Sequence, residues 1–276
     1  LRSGKIYRCQ HSAFGQLWQD RSLSQPQQIV RHRHRGGAPE PGAGVSSNLP
    51  MPRAQRPPVR GILLDVNETL FSLASLRAPF ARCGLDPELV PLWFASILRD
   101  GFALAAAGDF RRLAEIASSC LIDLDPQRLG PADARAVLES LHTLEPHPDV
   151  GRGLQLIRDA GVRVMTLTVG DVALSEALFT RAGLRHMVDG FLSAETVRRW
   201  KPAPEPYAYG VAQTGWPAAN VALIAAHDWD VHGARRAGLQ TGYIARYCKS
   251  PAPVFTSADV SAGDLPSVVE KLLSGG

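Results

Sequence analysis

The first clear pattern in the chain is the apolar run Gly61-Ile62-Leu63-Leu64, closed by Asp65 and the polar turn Asn67-Glu68-Thr69. A short apolar run bounded by turn formers predicts a strand buried on both faces. Over residues 75–146 the period changes. Leu89, Leu92, Trp93, Ile97 and Leu104 recur at helical spacing, and the alanines of 103–107 favour helix. Gly108-Asp109 breaks that run; further helices are predicted at about 110–121 and 131–141, the second opening on a proline. No strand signal appears in this stretch. Beyond Pro148 the pattern alternates: helix 149–160, strand 162–168, helix 172–182, an apolar piece at 190–193, a helix near 205–213, strand 221–226, a helix from about Asp230, strand 241–245 and a last helix at 265–273. Strands alternating with helices predict right-handed crossovers and a parallel sheet covered on both faces. No internal repeat is seen.

Composition changes this picture mainly at the N-terminus. Residues 1–58 carry nine Lys/Arg (Arg2 to Arg56) against Asp20 and Glu40, a charge of +7, so the remainder of the +4 chain stands at −3. This tail is rich in Arg, Gln, Ser, Pro and Gly, and is expected to be disordered because it buries too little apolar surface to offset its ordering entropy. Its first methionine is Met51, and one reading starts translation there; a basic targeting peptide is the functional alternative. His32 and His34 alternate with arginines and read as a solvated basic run. Because the basic excess sits in the tail, no nucleic-acid partner is expected for the folded part. Cys9, Cys83, Cys120 and Cys248 form no CxxC pair, which argues against a zinc site or a disulfide scaffold and suits a reducing cytoplasm. No uninterrupted apolar run reaches the ~18 residues of a membrane span, so no membrane partner is expected.

Four polar positions occupy comparable points in the alternation. Asp65 follows the first strand and Thr168 ends the second. Lys201 lies in RRWKPAPEPY (198–207), and Asp230 closes AAHDWD (225–230). The carboxyl ends of parallel strands converge on one edge, so two carboxylates, a hydroxyl and an ammonium can share a pocket. An Asp beside a Lys keeps its charge and can act as a covalent nucleophile. The plainer readings are an exposed loop lysine at Lys201 and a helix N-cap at Asp230.

In DVNETL (65–70), Thr168, KPAPEPY (201–207) and AAHDWD (225–230) the chain resembles the haloacid dehalogenase superfamily, most closely its type II 2-haloacid dehalogenase branch, over residues 59–276. The resemblance implies an α/β fold with a Rossmann-like core (59–74 and 147–276), an inserted all-helical cap (75–146) and the tail 1–58. It implies an enzyme in which Asp65 attacks C2 of a 2-haloacid, expels halide with inversion, and is freed by water through an aspartyl ester. Thr69 then orients Asp65, Thr168 holds the substrate carboxylate or the nucleophile, Lys201 balances the negative charge, Asp230 fixes Lys201 and helps activate the water, and Tyr207 and Trp229 line the pocket. Asn67 and His227 join the substrate-binding set, and His227 reads equally as a base or as a structural histidine. Arg99 is a distant replacement for the arginine that these enzymes carry where this chain has Phe94. Val169 and His227 stand where they carry asparagines, and Asn67 stands where they commonly carry an aromatic residue. The implied partner is a small-molecule substrate, with a homodimer left open, and no cofactor.

Two rivals stand beside this reading. A Mg²⁺-dependent phosphatase of the same superfamily needs a second Asp two residues after the first, where Asn67 stands, and an acid where Ala226 stands, so Mg²⁺ enters only under that alternative. A non-catalytic binding protein on the same scaffold is the third reading.

Overall fold

The structure, a computed structural model, describes residues 56–249 and 251–274. The expectations for the tail up to residue 55, the start at Met51 among them, lie outside the described residues. Residues 56–58, assigned to that tail, are instead tied to the fold. Arg56 pairs with Asp259 at 3.1 Å, and the Pro57 and Pro58 carbonyls accept hydrogen bonds from Gln240 (2.7 Å) and Asn220 (2.9 Å).

The apolar run forms β1 (Gly61–Leu64), all of it buried. There follow β2 (Phe71–Ser72), α1 (Arg77–Arg82), α2 (Val90–Ala106), α3 (Leu113–Ile122), α4 (Pro131–Glu139), β3 (Glu145–Pro146), α5 (Val150–Asp159), β4 (Arg163–Thr168), α6 (Val172–Arg181), β5 (Gly190–Ser193), α7 (Pro204–Thr214), β6 (Val221–Ala225), α8 (Asp228–Arg236), β7 (Gln240–Ile244), β8 (Val260–Ala262) and α9 (Leu265–Leu273). Six strands make one sheet in the order β5-β4-β1-β6-β7-β8, every pair parallel. Successive strand residues point to opposite faces. Ile62 and Leu64 therefore join Leu154, Ile157, Phe179 and Val268 in one core. Leu63 joins Tyr207, Leu223, Val231 and Ala234 in the other. This is the expected α/β architecture, with β1 at the centre between β4 and β6.

The stretch between β2 and β3 is helical, with one departure from expectation. Glu145–Pro146 pairs antiparallel with Phe71–Ser72, a two-residue ladder at the foot of the insert. It is too short for any period to announce it. α2 buries Trp93, Phe94, Ile97 and Leu98, and the Trp93 indole donates to Ala117 O of α3 at 2.9 Å. The span Pro87–Ala106 is long and apolar enough to cross a membrane by length and composition. Arg99 and Asp100 interrupt it, so it contains no uninterrupted apolar run of membrane-spanning length. Its buried stripe packs within the described unit: Gly101 abuts the Trp200 ring so closely that a Cβ there would lie 2.5 Å from it, and Trp200 donates to Arg111 O at 2.9 Å. Cys83 and Cys120 are free thiols, whereas Cys248 is disulfide-bonded, so the expectation of unpaired cysteines is met at two of these three.

One glycine controls the approach of α7 to α8. A Cβ on Gly233 would lie 2.5 Å from the Tyr207 hydroxyl and 2.7 Å from Pro202. Gly233→Ala should therefore push Tyr207 and the 201–202 loop aside, lowering stability by about 1–3 kcal/mol, read as a shifted urea midpoint with unchanged slope.

Candidate active site

Each strand end delivers one part of the site. Asp65 directly follows β1, and its backbone N–H continues the ladder to Ile224 O at 3.1 Å. The turn that follows folds back on it. Thr69 donates its hydroxyl to Asp65 Oδ2 at 2.6 Å and accepts from Ala226 N at 2.9 Å, so the hydroxyl joins the ends of β1 and β6. Glu68 adopts φ +60°, a left-handed conformation unusual for a residue with a Cβ, and its carboxylate accepts from Leu73 N at 2.5 Å.

Lys201 is fully buried and uses all three of its protons. It donates to Asp65 Oδ1 at 2.9 Å, Asp230 Oδ2 at 2.6 Å and Leu167 O at 2.9 Å. The exposed-loop reading of this lysine is thereby corrected. Trp200 and Pro202, which hold it from both sides, are themselves packed against α2 and α8. Asp230 is equally buried, its other oxygen accepting from the Tyr207 hydroxyl at 2.7 Å. Its N-cap reading is corrected too. α8 starts at Asp228 with His227 as N-cap, so Asp230 lies inside the first turn and faces Lys201.

Burial works against charge throughout this cluster, and the partners decide the outcome. Despite its burial, Asp65 is held well below the usual carboxylate range by the Lys201 ammonium and by His227. Burial alone would lower Lys201, but Asp230 and Asp65 raise it. Asp230 goes up, because burial and the neighbouring Asp65 charge outweigh its share of Lys201. Two carboxylates thus share one ammonium, and Asp65 is the one that remains firmly anionic.

His227 completes the ring of groups. It is buried, and its Nδ1 lies 3.2 Å from Asp65 Oδ2. An ionised carboxylate only accepts, so Nδ1 carries the proton and donates. Burial lowers the imidazole, but the contact with Asp65 raises it overall. Its ring stacks on Trp229 at 5.1 Å, and Phe94 lies 6.0 Å away. Trp229 lies under the Lys201 ammonium at 5.9 Å and against Phe102 at 5.1 Å.

Not every candidate stands where the sequence put it. Tyr207 does not line a pocket; turned inward from α7, it is fully buried beneath Asp230. Asn67 and Thr168 make no hydrogen bond to Asp65 among the described residues. They border a chamber of about 20 Å³, with Phe94, Ile97, Leu113, Leu141 and Leu174, and Thr168 Oγ1 accepts from Gly170 N at 3.0 Å. Arg99 is exposed and paired with Asp100 at 2.7 Å, so it takes no part. Arg246 was not among the candidates. Its guanidinium donates to Thr69 O at 2.6 Å and takes Asp149 in a two-bond fork at 3.0 and 3.2 Å, fastening the turn after β1 to the start of α5. No local pattern marks an arginine whose partners lie so far away in the chain.

A parallel α/β core thus carries a buried Asp–Lys–Asp cluster at its strand ends. The sequence model described as haloacid dehalogenase-like hydrolase matches residues 59–238, and the chain belongs to that family of enzymes. Among its relatives, an (S)-2-haloacid dehalogenase of Pseudomonas sp. (strain YL) is 25% identical over 77% of this chain and 94% of its own. Haloacetate dehalogenase H-2 of Moraxella sp. (strain B) is 23% identical over 68% and 87%. The solved L-2-haloacid dehalogenase of Xanthobacter autotrophicus with chloropropionic acid covalently bound has the same fold, with a TM-score of 0.70 at 19% identity over 77% of this chain and 97% of that one.

Lys201→Met should leave two buried carboxylates without their cation and cost about 3–5 kcal/mol, read as a lower urea midpoint. The pH dependence of stability follows from the raised His227. A raised folded value favours folding when the group is charged, so its contribution is complete below the unfolded value, about 6.5, and is lost as pH rises through the folded one. The melting-temperature gap between wild type and His227→Gln should therefore be wider at pH 6 than at pH 9.

Proposed function

We propose that this enzyme hydrolyses carbon–halogen bonds of small 2-haloacids through an ester on Asp65, without a metal ion, and that the helices of residues 75–146 act as a cap over the site. The observation that carries the reading is the Lys201 ammonium between Asp65 Oδ1 and Asp230 Oδ2, at 2.9 and 2.6 Å. It keeps Asp65 anionic, as a nucleophile must be, and it takes up the carboxylate oxygens that a bridging Mg²⁺ would need. With Asn67 and Ala226 where a phosphatase places acids, the donor set does not fit a hard cation well. The names of the relatives and the covalently bound chloropropionic acid in the Xanthobacter structure support the same chemistry.

Asp65 attacks C2 in line with the carbon–halogen bond; the C–X electron pair leaves with the halide, and the new C–O bond makes the ester. Thr69 and Lys201 hold the carboxylate in place during the attack. Water then adds at Cγ and returns the carboxylate. The chamber bordered by Asn67 and Thr168 is about one water in size and does not include Asp65 in its lining, so a substrate reaching Asp65 needs side chains around it to move. Leu113, Leu141 and Leu174 of the chamber also border an adjoining open cleft of about 500 Å³. The small chamber argues for short acids, and it is lined mostly by apolar side chains. A second reading, phosphate-ester hydrolysis with Mg²⁺, draws on a fructose-1-phosphate phosphatase of Escherichia coli (strain K12) that is 31% identical over 42% of this chain. Localisation in the cytoplasm remains part of the proposal.

The test is halide release from chloroacetate and (S)-2-chloropropionate in EDTA, beside p-nitrophenyl phosphate hydrolysis with Mg²⁺. Halide release that Asp65→Asn lowers by at least about a thousandfold, with the fold intact by circular dichroism, is the expected result. Mg²⁺-dependent phosphate release in its place overturns the reading. Binding of a small acid with neither activity favours the non-catalytic scaffold.

A further inference from the structure

Hydrolysis of an ester on Asp65 needs a group to take a proton from the attacking water, and the groups around Asp65 are nearly all committed. The two Asp230 oxygens are occupied by Tyr207 and Lys201, with no surface open to water. Lys201 has spent all three protons on acceptors. Thr69 already donates to Asp65 and accepts from Ala226. His227 is different. One ring nitrogen lies 3.2 Å from Asp65 Oδ2, and the other, Nε2, is buried with no hydrogen-bond partner, as is Trp229 Nε1 beside it. An unpartnered buried polar atom is costly and calls for a functional explanation.

We propose that His227 accepts the proton of the water that hydrolyses the Asp65 ester. The inference rests on the dehalogenase reading above. In the resting enzyme His227 donates from Nδ1 to the Asp65 carboxylate and is no base. Alkylation turns that carboxylate into a neutral ester and removes the charge that held the proton. The charged groups still facing the imidazole are Glu68 from the turn after β1, Asp230 from α8, and Lys201 from the loop before α7; α2 contributes only the uncharged Phe94. With the Asp65 contact gone, burial works against the charged imidazole and only the weaker pull of Asp230 and Glu68 opposes it, so the proton passes to solvent and the ring becomes neutral. Water then attacks Cγ and its proton passes to the imidazole. The bond from Cγ to the substrate oxygen breaks, and that oxygen takes the proton and leaves as the hydroxyl of the 2-hydroxy acid. The carboxyl proton left on Asp65 goes to His227, restoring the resting pair. Over one cycle the carbon–halogen bond is exchanged for a carbon–oxygen bond, and one halide and one proton are released.

The experiment is a single turnover of (S)-2-chloropropionate by wild type and by His227→Asn, following chloride and the intact mass of the protein. Asparagine can keep the bond to Asp65 but cannot take a proton near neutral pH. The variant should release one chloride per enzyme and then stall as the Asp65 ester, with steady turnover down by about a hundredfold or more. In wild type, the same ester should accumulate as the pH is lowered, its decay slowing about tenfold per unit below the imidazole titration. The wild-type arm decides the matter if the variant fails to fold. Turnover of the variant within about threefold of wild type, loss of its first chloride, or pH-independent ester decay in wild type each overturns the assignment while leaving the dehalogenase reading in place. No chloride from wild type at all overturns that reading and this one with it.

Discussion

A buried ammonium with three acceptors is the constraint around which this structure is arranged. Removing Lys201 from water is expensive unless every proton finds a partner. The three partners come from three elements: the residue after β1, the penultimate residue of β4 and the first turn of α8. Any shift of one strand against another breaks a charge-assisted bond in a place where no water can replace it. The surrounding packing follows from that demand. Trp200 fits against Gly101 on one side, and Tyr207 passes close to Gly233 on the other; both glycines leave room that a side chain would close.

The same cluster separates two carboxylates that look alike in the sequence. Asp65 receives Lys201, Thr69 and His227 and stays charged; Asp230 receives Lys201 and Tyr207 and is pushed the other way. One is thereby suited to attack, and the other to hold the ammonium still. Arg246 and Asp149 add a second anchor behind the turn after β1, fixing the backbone of Thr69 from the side of the sheet that carries α5. The turn can then keep the unusual conformation at Glu68.

The chamber departs from the dehalogenase pattern at one consistent place. Phe94, where those enzymes carry an arginine, lies beside the imidazole of His227, and Val169 is buried. Among the described residues, the arginine that the resemblance led one to expect at Phe94 has no counterpart against Asp65, and the basic groups bonded to Asp65 are Lys201 and His227, both on the sheet side. Electrostatic control of the site thus rests with the strand ends, and the helices supply mostly apolar wall.

The periods of the chain were sufficient for the parallel sheet and the helical insert, and they put Asp65, Thr168 and Asp230 near strand ends and Lys201 in a loop between elements, because a buried strand and a helix leave different spacings of apolar residues; Thr69 came only from the resemblance. What spacing cannot carry is direction. Tyr207 was expected to line a pocket and is a buried support, and of the two readings of Asp230, partner of Lys201 or helix cap, the contact at 2.6 Å selects the first; Arg99, a distant replacement at best, is spent on Asp100. The two-residue ladder of β2 and β3 and the fork of Arg246 on Asp149 depend on partners far along the chain. Local spacing was enough to say which elements form and which polar residues end them. Only the tertiary structure decided which of those residues face one another, because that depends on strand order and helix rotation, and these are set by the packing of the whole core.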